Sequence, residues 1–241
     1  MKKPILVSGI VMLALVGGGG GYVGGQVLDQ RTSGGSAAPL PTGSPGTPTT
    51  TPKPTPSIPL IRKTPQPNPL PALELADLDF KNRNFTVTGD VVGQVKLSIK
   101  VPAGWQLTPT KDKPSEVRFV DESGERAIRV QSALAPDTSV KDSLQGLVTN
   151  LQSSQPYQNN LQTLYQAEGQ VKDDDGNLRP VATLVYTYIP GATTRYVIVR
   201  FVATGDGTVT TVSMSVTGLP KEKSVLEKIL AEATASVRIR D

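Results

Sequence analysis

From residue 72 onward, apolar and polar positions alternate in short runs. Val95, Leu97, Ile99 and Val101 alternate with Lys96, Ser98 and Lys100, a period of two that predicts a strand with one buried face. Val117 with Phe119 and Ile128 with Val130 predict two more strands, joined through a turn at Ser123-Gly124. Val140, Leu144, Leu147, Val148 and Leu151 then change to helical spacing, with Ser139 as N-cap and Asp142 as a first-turn carboxylate. Pro156 closes that helix region. Strands resume over residues 161–171, and Asp173 to Asn177 forms a hairpin turn. Val181 to Ile189 is a further strand, and Arg195 to Ala203, apolar on both faces, reads as a central strand covered on two sides. Val212, Met214 and Val216 share one strand face. Pro220 opens a terminal helix with a stripe of Val225, Leu226, Ile229, Leu230 and Ala233. Strands, a helix, an antiparallel run and a last helix make an α+β domain.

The first 71 residues follow different rules. No charged residue occurs between Pro4 and Leu28, and such a run in helical form spans roughly 37 Å at about 1.5 Å per residue, enough for the hydrocarbon core of a bilayer. Lys2 and Lys3 precede it, so residues 1–30 are expected to be a signal anchor with a cytoplasmic N-terminus and everything after it outside. A cleaved signal peptide, leaving a secreted protein, is the alternative. Gly17, Gly21 and Gly25 recur at spacing four, a strip that would permit weak self-association of membrane helices. A run of five glycines also produces that spacing by itself. Residues 31–71 are dominated by Pro, Thr, Ser and Gly, a composition that buries too little apolar surface to offset chain entropy. They are expected to be a disordered linker reaching roughly 100 Å when extended. The exported domain is then 72–241, with its core in 84–240.

Composition narrows the chemistry. The 241 residues include no cysteine and no histidine, which removes disulfides, thiolate catalysis, the Ser-His-Asp triad and metal sites built on Cys or His. Cofactors are expected to be none. The net charge of +4 divides into +5 for residues 1–71 and −1 for the rest. A nucleic-acid-binding fold carries its positive excess on the fold itself, so nucleic acid is not an expected partner.

Val101-Pro102-Ala103-Gly104-Trp105 at the end of the amphipathic strand, the order of the following elements, and the terminal helix running into Ala235-Ser236-Val237-Arg238 give the domain a family likeness. It resembles the PsbP/Mog-like α/β/α sandwich, an antiparallel sheet flanked by helices, and within it the LpqN-like group of exported actinobacterial proteins. The likeness spans residues 84–240 and rests on element order more than on its one compact motif, P-x-G-W. The lipobox cysteine usual in that group is missing, and an anchor stands in its place. The resemblance implies a non-catalytic module of the cell envelope that binds a protein partner, or an envelope lipid or glycan. It supplies no catalytic residue to carry over.

Four aromatic residues are candidates for ligand contact. Trp105 follows the Pro-x-Gly turn, where it would either stack on a ligand or plug the core. Tyr186 and Tyr188 share a strand face, and Tyr165 on the neighbouring strand is expected to join them as the wall of a cleft. Packing at the core edge, with hydroxyls in water, is the competing reading. Asp173, Asp174 and Asp175 lack the alternating spacing of a calcium loop and read as a solvated acidic turn. No motif pairs two acids as glycoside hydrolysis requires. An enzyme working through Asp or Glu and a purely structural stalk remain the alternatives to a binding module.

Overall fold

Each predicted run of alternation becomes a strand in the computed structural model, which describes residues 61–240 apart from 111, 135, 136 and 206. The expected membrane segment, its glycine strip at Gly17, Gly21 and Gly25, and the linker up to residue 60 lie outside the described residues. Ten strands and two helices follow: β1 (Phe80–Gly89), β2 (Gly93–Pro102), β3 (Gln106–Pro109), β4 (Glu116–Val120), β5 (Ala127–Ser132), α1 (Val140–Ser154), β6 (Gln162–Lys172), β7 (Leu178–Tyr188), β8 (Arg195–Val202), β9 (Val212–Gly218), α2 (Lys223–Ser236) and β10 (Arg238–Arg240). Short 3-10 turns precede β1, β6 and α2. The domain is α+β, mostly antiparallel sheet with a few helices.

Seven strands form one antiparallel sheet in the order β3-β4-β5-β9-β8-β7-β6, and β1-β2-β10 form a second. α1 begins where expected, with the Ser139 hydroxyl accepting from Asp142 N, and packs on β7 and β8. Its Val140, Leu144, Leu147 and Leu151 meet Ala182, Leu184, Val197 and Val199 in one core. The other face of the large sheet carries Phe119, Ile128, Ile198, Met214 and Val216. These pack with the α2 stripe and with Leu97, Ile99 and Val101 of β2 in a second core. β8 feeds both cores, as its two-sided apolar run predicted. Burying a large aliphatic side chain contributes about 1.5 to 3 kcal/mol, and β2 supplies three such residues from the centre of the small sheet, whose β1-β2 hairpin could not stand alone.

Residues 61–71, within the stretch expected to be disordered, lie against the domain. Lys63 N donates to Gln158 O and Gln66 N to Ala192 O, while the Lys63 ammonium reaches Asn159 Oδ1 and the carbonyls of Ile189 and Pro190. The Pro71 carbonyl accepts from Arg126, and the Leu70 carbonyl from Lys221. Proline lacks an N–H but keeps its carbonyl, so a proline-rich strap can dock by accepting hydrogen bonds. Composition registers the first property and misses the second.

One node ties the strap to the sheet. Glu222, fully buried, accepts from Arg126 Nε at 2.8 Å, Leu219 N at 2.9 Å and Leu73 N at 3.1 Å. Arg126 also pairs with Asp121 at 2.9 Å. A Cβ on Gly218 would come within 2.9 Å of both Glu222 Oε2 and Leu226 Cδ2, so any side chain at the end of β9 would have to displace the carboxylate of the node.

Candidate functional site: the polar half of the large sheet

Beyond α1's footprint on β7 and β8, the same sheet face turns polar. Register aligns Arg118 of β4, Arg129 of β5 and Ser215 of β9 across three strands, with Ser213 and Thr217 beside them. Arg129 is buried and pairs with Glu116 at 3.1 Å. Arg118 is half-buried, and no ion pair or hydrogen bond engages it among the described residues. Two guanidiniums facing one carboxylate leave a net positive charge there. Desolvation pushes the Arg129 pKa down, the Glu116 charge opposes that, and the neighbouring Arg118 adds to it.

Tyr186 and Tyr188 border this patch. Their rings are 5.8 Å apart at 50°, and both side chains are packed among the leucines of α1, at 1% and 3% exposure. They pack in the core, as the packing reading expected, but the Tyr186 hydroxyl does not reach water. It is buried and has no hydrogen-bond partner among the described residues. Burial pushes the pKa of both phenols up, while the nearby Arg129 pulls it back. Tyr188 also feels Arg195 and Arg118. Arg195, at the head of β8, is held by Glu125.

Tyr165 does not join them. The register shifts between Thr163, opposite Tyr186, and Tyr165, opposite Val185. Regular pairing would have set Tyr165 opposite Leu184, on the Tyr186 face. The bulge sends it to the other side, where it is 56% exposed. Nothing in the alternation marks an extra residue, so parity counted from the sequence fails there.

Trp105 is also elsewhere. It is 5% exposed and belongs to the core between the two sheets. One edge lines an open cleft of about 460 Å³ with Leu73, Asp121, Glu122 and Arg126. Packing is therefore its main work.

The three aspartates diverge, as consecutive residues in a turn must, but they are not simply solvated. Asp173 accepts from Asp175 N and Asn177 N and pairs with Arg179, while Asp174 pairs with Lys100 and Asp175 with Arg238. Among the described residues no group of three or more acids could hold a metal ion, and no helix is long and apolar enough to cross a membrane.

No family model and no curated protein matches the chain. Among solved structures, it is similar to the Saccharomyces cerevisiae Ran-binding protein Mog1p, with 14% identity, a TM-score of 0.43, and coverage of 68% of this chain and 97% of that one. It is also similar to LpqN of Mycobacterium tuberculosis, a protein involved in cell envelope biogenesis. There the identity is 16%, the TM-score 0.41, and the coverage 71% of this chain and 99% of that one. Both are of the kinds that the sequence resemblance named.

Sequence reasoning found Tyr186 and Tyr188 but missed the arginines beside them. Arg118 and Arg129 sit at alternate positions of predicted strands, where a charge reads as solvent-facing. Only the pairing of β4, β5 and β9 puts them on the same face as the phenols.

Proposed function

We propose that this chain is a non-catalytic binding module of the cell envelope, held outside the membrane by its N-terminal segment, which captures a ligand on the polar half of the large sheet. The ligand class is a headgroup rich in hydroxyls or carrying an oxyanion, as on an envelope lipid or glycan. The single observation that carries the reading is the buried, unpaired Tyr186 hydroxyl beside Arg129. A buried hydroxyl without a partner costs about 1 to 3 kcal/mol, and a ligand acceptor at that point would recover it. Arg118 contributes the unpaired charge, and Ser213, Ser215 and Thr217 add hydroxyls that suit polar groups better than acyl chains. The sequence of residues 1–30 supports export, because the lysine pair precedes the uncharged run.

The test is native mass spectrometry of the full-length chain extracted from its own membranes in neutral detergent. A ligand mass is expected on the wild type and is expected to be lost from the Tyr186→Phe, Arg118→Gln double variant. A bare wild-type mass, or a ligand retained equally by the double variant, would sink the reading. A co-extracted polypeptide in place of a small mass would shift the partner to an envelope protein.

A further inference from the structure

In and beside the large sheet the buried arginines pair with acids, whereas two half-buried ones, Arg118 on the α1 face and Arg200 on the α2 face, do not. Arg126, Arg129, Arg179 and Arg195 are buried, and each pairs with a carboxylate, on Asp121 and Glu222, Glu116, Asp173 and Glu125 respectively. Arg200, half-buried in the middle of β8 on the α2 side, does not. Its Nε donates to Thr183 Oγ1 at 3.1 Å and its Nη1 to Thr234 Oγ1 at 3.2 Å. No carboxylate lies within ion-pair distance of it among the described residues. A guanidinium has five N–H donors and stays protonated in proteins, so three donors and a full charge are left without an acceptor among the described residues. Partial burial makes that charge costly unless an anion meets it.

The surroundings leave a way in. Register sets Ala167 of β6 opposite Thr183, and Gly169 opposite Val181, on the Arg200 side of the sheet. A Cβ added to Gly169 would meet nothing within 4 Å. On α2, Glu227, Ala231 and Thr234 fall at helical spacing on one face, where the exposed Ala231 presents only a methyl group and Leu230 turns into the core. Small residues, Ala167 and Gly169 on β6 and Ala231 on α2, thus flank the half-buried Arg200, and the open space over Gly169 makes a trough on the β6 side. The β6 bulge brings exposed Tyr165 to the same side, close enough for electrostatic interaction with Arg200. Glu227 is the acid whose charge reaches Arg200, and it is half-exposed beside Lys223 at 3.9 Å.

We propose that this trough is a second binding site, on the opposite face from the first, in which Arg200 holds a phosphate or carboxylate oxyanion and Tyr165 covers the adjoining part of the ligand. The guanidinium fork suits either oxyanion. The small Ala167 and Gly169 on the β6 side admit it, and the phenol ring offers a flat surface for an apolar or sugar moiety.

The test follows arginine Nε–Hε signals by NMR in the full-length chain held in phosphatidylcholine nanodiscs. Inorganic phosphate and acetate are titrated in turn, and a second preparation contains phosphatidylglycerol. The Arg200 signal is identified by its loss in Arg200→Met. A saturable shift confined to that signal is expected. Phosphate alone producing it would mean a free ion suffices, acetate producing it would admit carboxylates, and a response only to phosphatidylglycerol would assign a lipid phosphate. Gly169→Leu, which fills the trough without touching the guanidinium, is expected to weaken the apparent affinity about tenfold or more, roughly 1.4 kcal/mol. No saturable movement of Arg200 with any of the three, or an affinity unchanged in Gly169→Leu, would overturn the proposal. Thermal unfolding separates ligand binding from scaffolding, since Arg200→Met removes a charge with no structural counter-ion. Its midpoint is expected to be equal to or above that of the wild type, and a clear drop would make Arg200 a scaffold residue.

Discussion

Tyr186 carries an energetic debt that a single oxygen explains. Its ring fills the core under α1, and its hydroxyl, buried and unpartnered, adds nothing to that packing. Replacing a buried, unpaired polar group by an apolar one of the same shape is neutral or stabilising. Tyr186→Phe is therefore expected to stabilise the ligand-free protein by about 1 kcal/mol, a rise in the melting midpoint of roughly 2 to 4 °C for a domain of this size. Calorimetry on ligand-free protein reads it directly, and a lower midpoint would show that the hydroxyl has a partner. Tyr186→Ala is different in kind, because it removes the ring and is expected to cost about 3 to 5 kcal/mol. Alanine at this position would report on folding and reveal nothing about ligands.

At the scale of elements, the Glu222 node decides how the ends of β5, β9 and α2 meet. Burial alone would raise the Glu222 pKa, but hydrogen bonds from Arg126, Leu219 N and Leu73 N outweigh it and hold the carboxyl below its ordinary value of 4.5. A carboxyl whose pKa is depressed by folding stabilises the fold above its unfolded pKa, and that contribution fades as pH falls through the folded value. Stability should therefore drop on acidification below about 4.5, where an unfolded glutamate takes up its proton. Glu222→Gln leaves Arg126 with a lost partner in a buried site and is expected to cost about 3 kcal/mol at neutral pH. It should also flatten the acid limb, and urea melts across pH check both effects. An acid limb as steep as that of the wild type would place the sensitivity elsewhere. The helices and most strands were legible because burial imposes their period on the sequence. β1 was not marked out, since its first half, Lys81-Asn82-Arg83-Asn84, is polar and becomes strand only by pairing with β2. The node was equally hidden, because Glu222 and Arg126 are 96 residues apart and nothing local distinguishes a buried acid from a first-turn one.

Across the whole molecule, a low-complexity composition and an ordered strap turn out to be compatible over residues 61–71. Twelve of the 21 prolines lie between Pro39 and Pro71, yet the last part of that stretch is pinned at four places along one end of the sheet: by Lys63 at the end of β7, by Gln66 at the loop before β8, by Asn68 at Glu125, and by Leu70 and Pro71 at Lys221 and Arg126. Proline makes this attachment less costly, since a chain already restricted in φ loses less freedom on docking. A chain beginning at residue 72 would leave Arg126 Nη2 without the Pro71 carbonyl and expose the carbonyls of Ile189 and Pro190 that Lys63 covers. Each net hydrogen bond is worth about 0.5 to 1.5 kcal/mol, so removing residues 61–71 is expected to lower the midpoint by several degrees relative to a chain beginning at residue 61. The Lys63→Ala variant should reproduce part of that loss, because it removes three hydrogen bonds from one ammonium. Equal midpoints for the two truncations would mean that the strap rests on the domain without stabilising it. Where the strap does stabilise the domain, a tether joined through it would transmit pull directly to the Glu222 node, because Leu73 N, the next anchored group, donates to Glu222 itself.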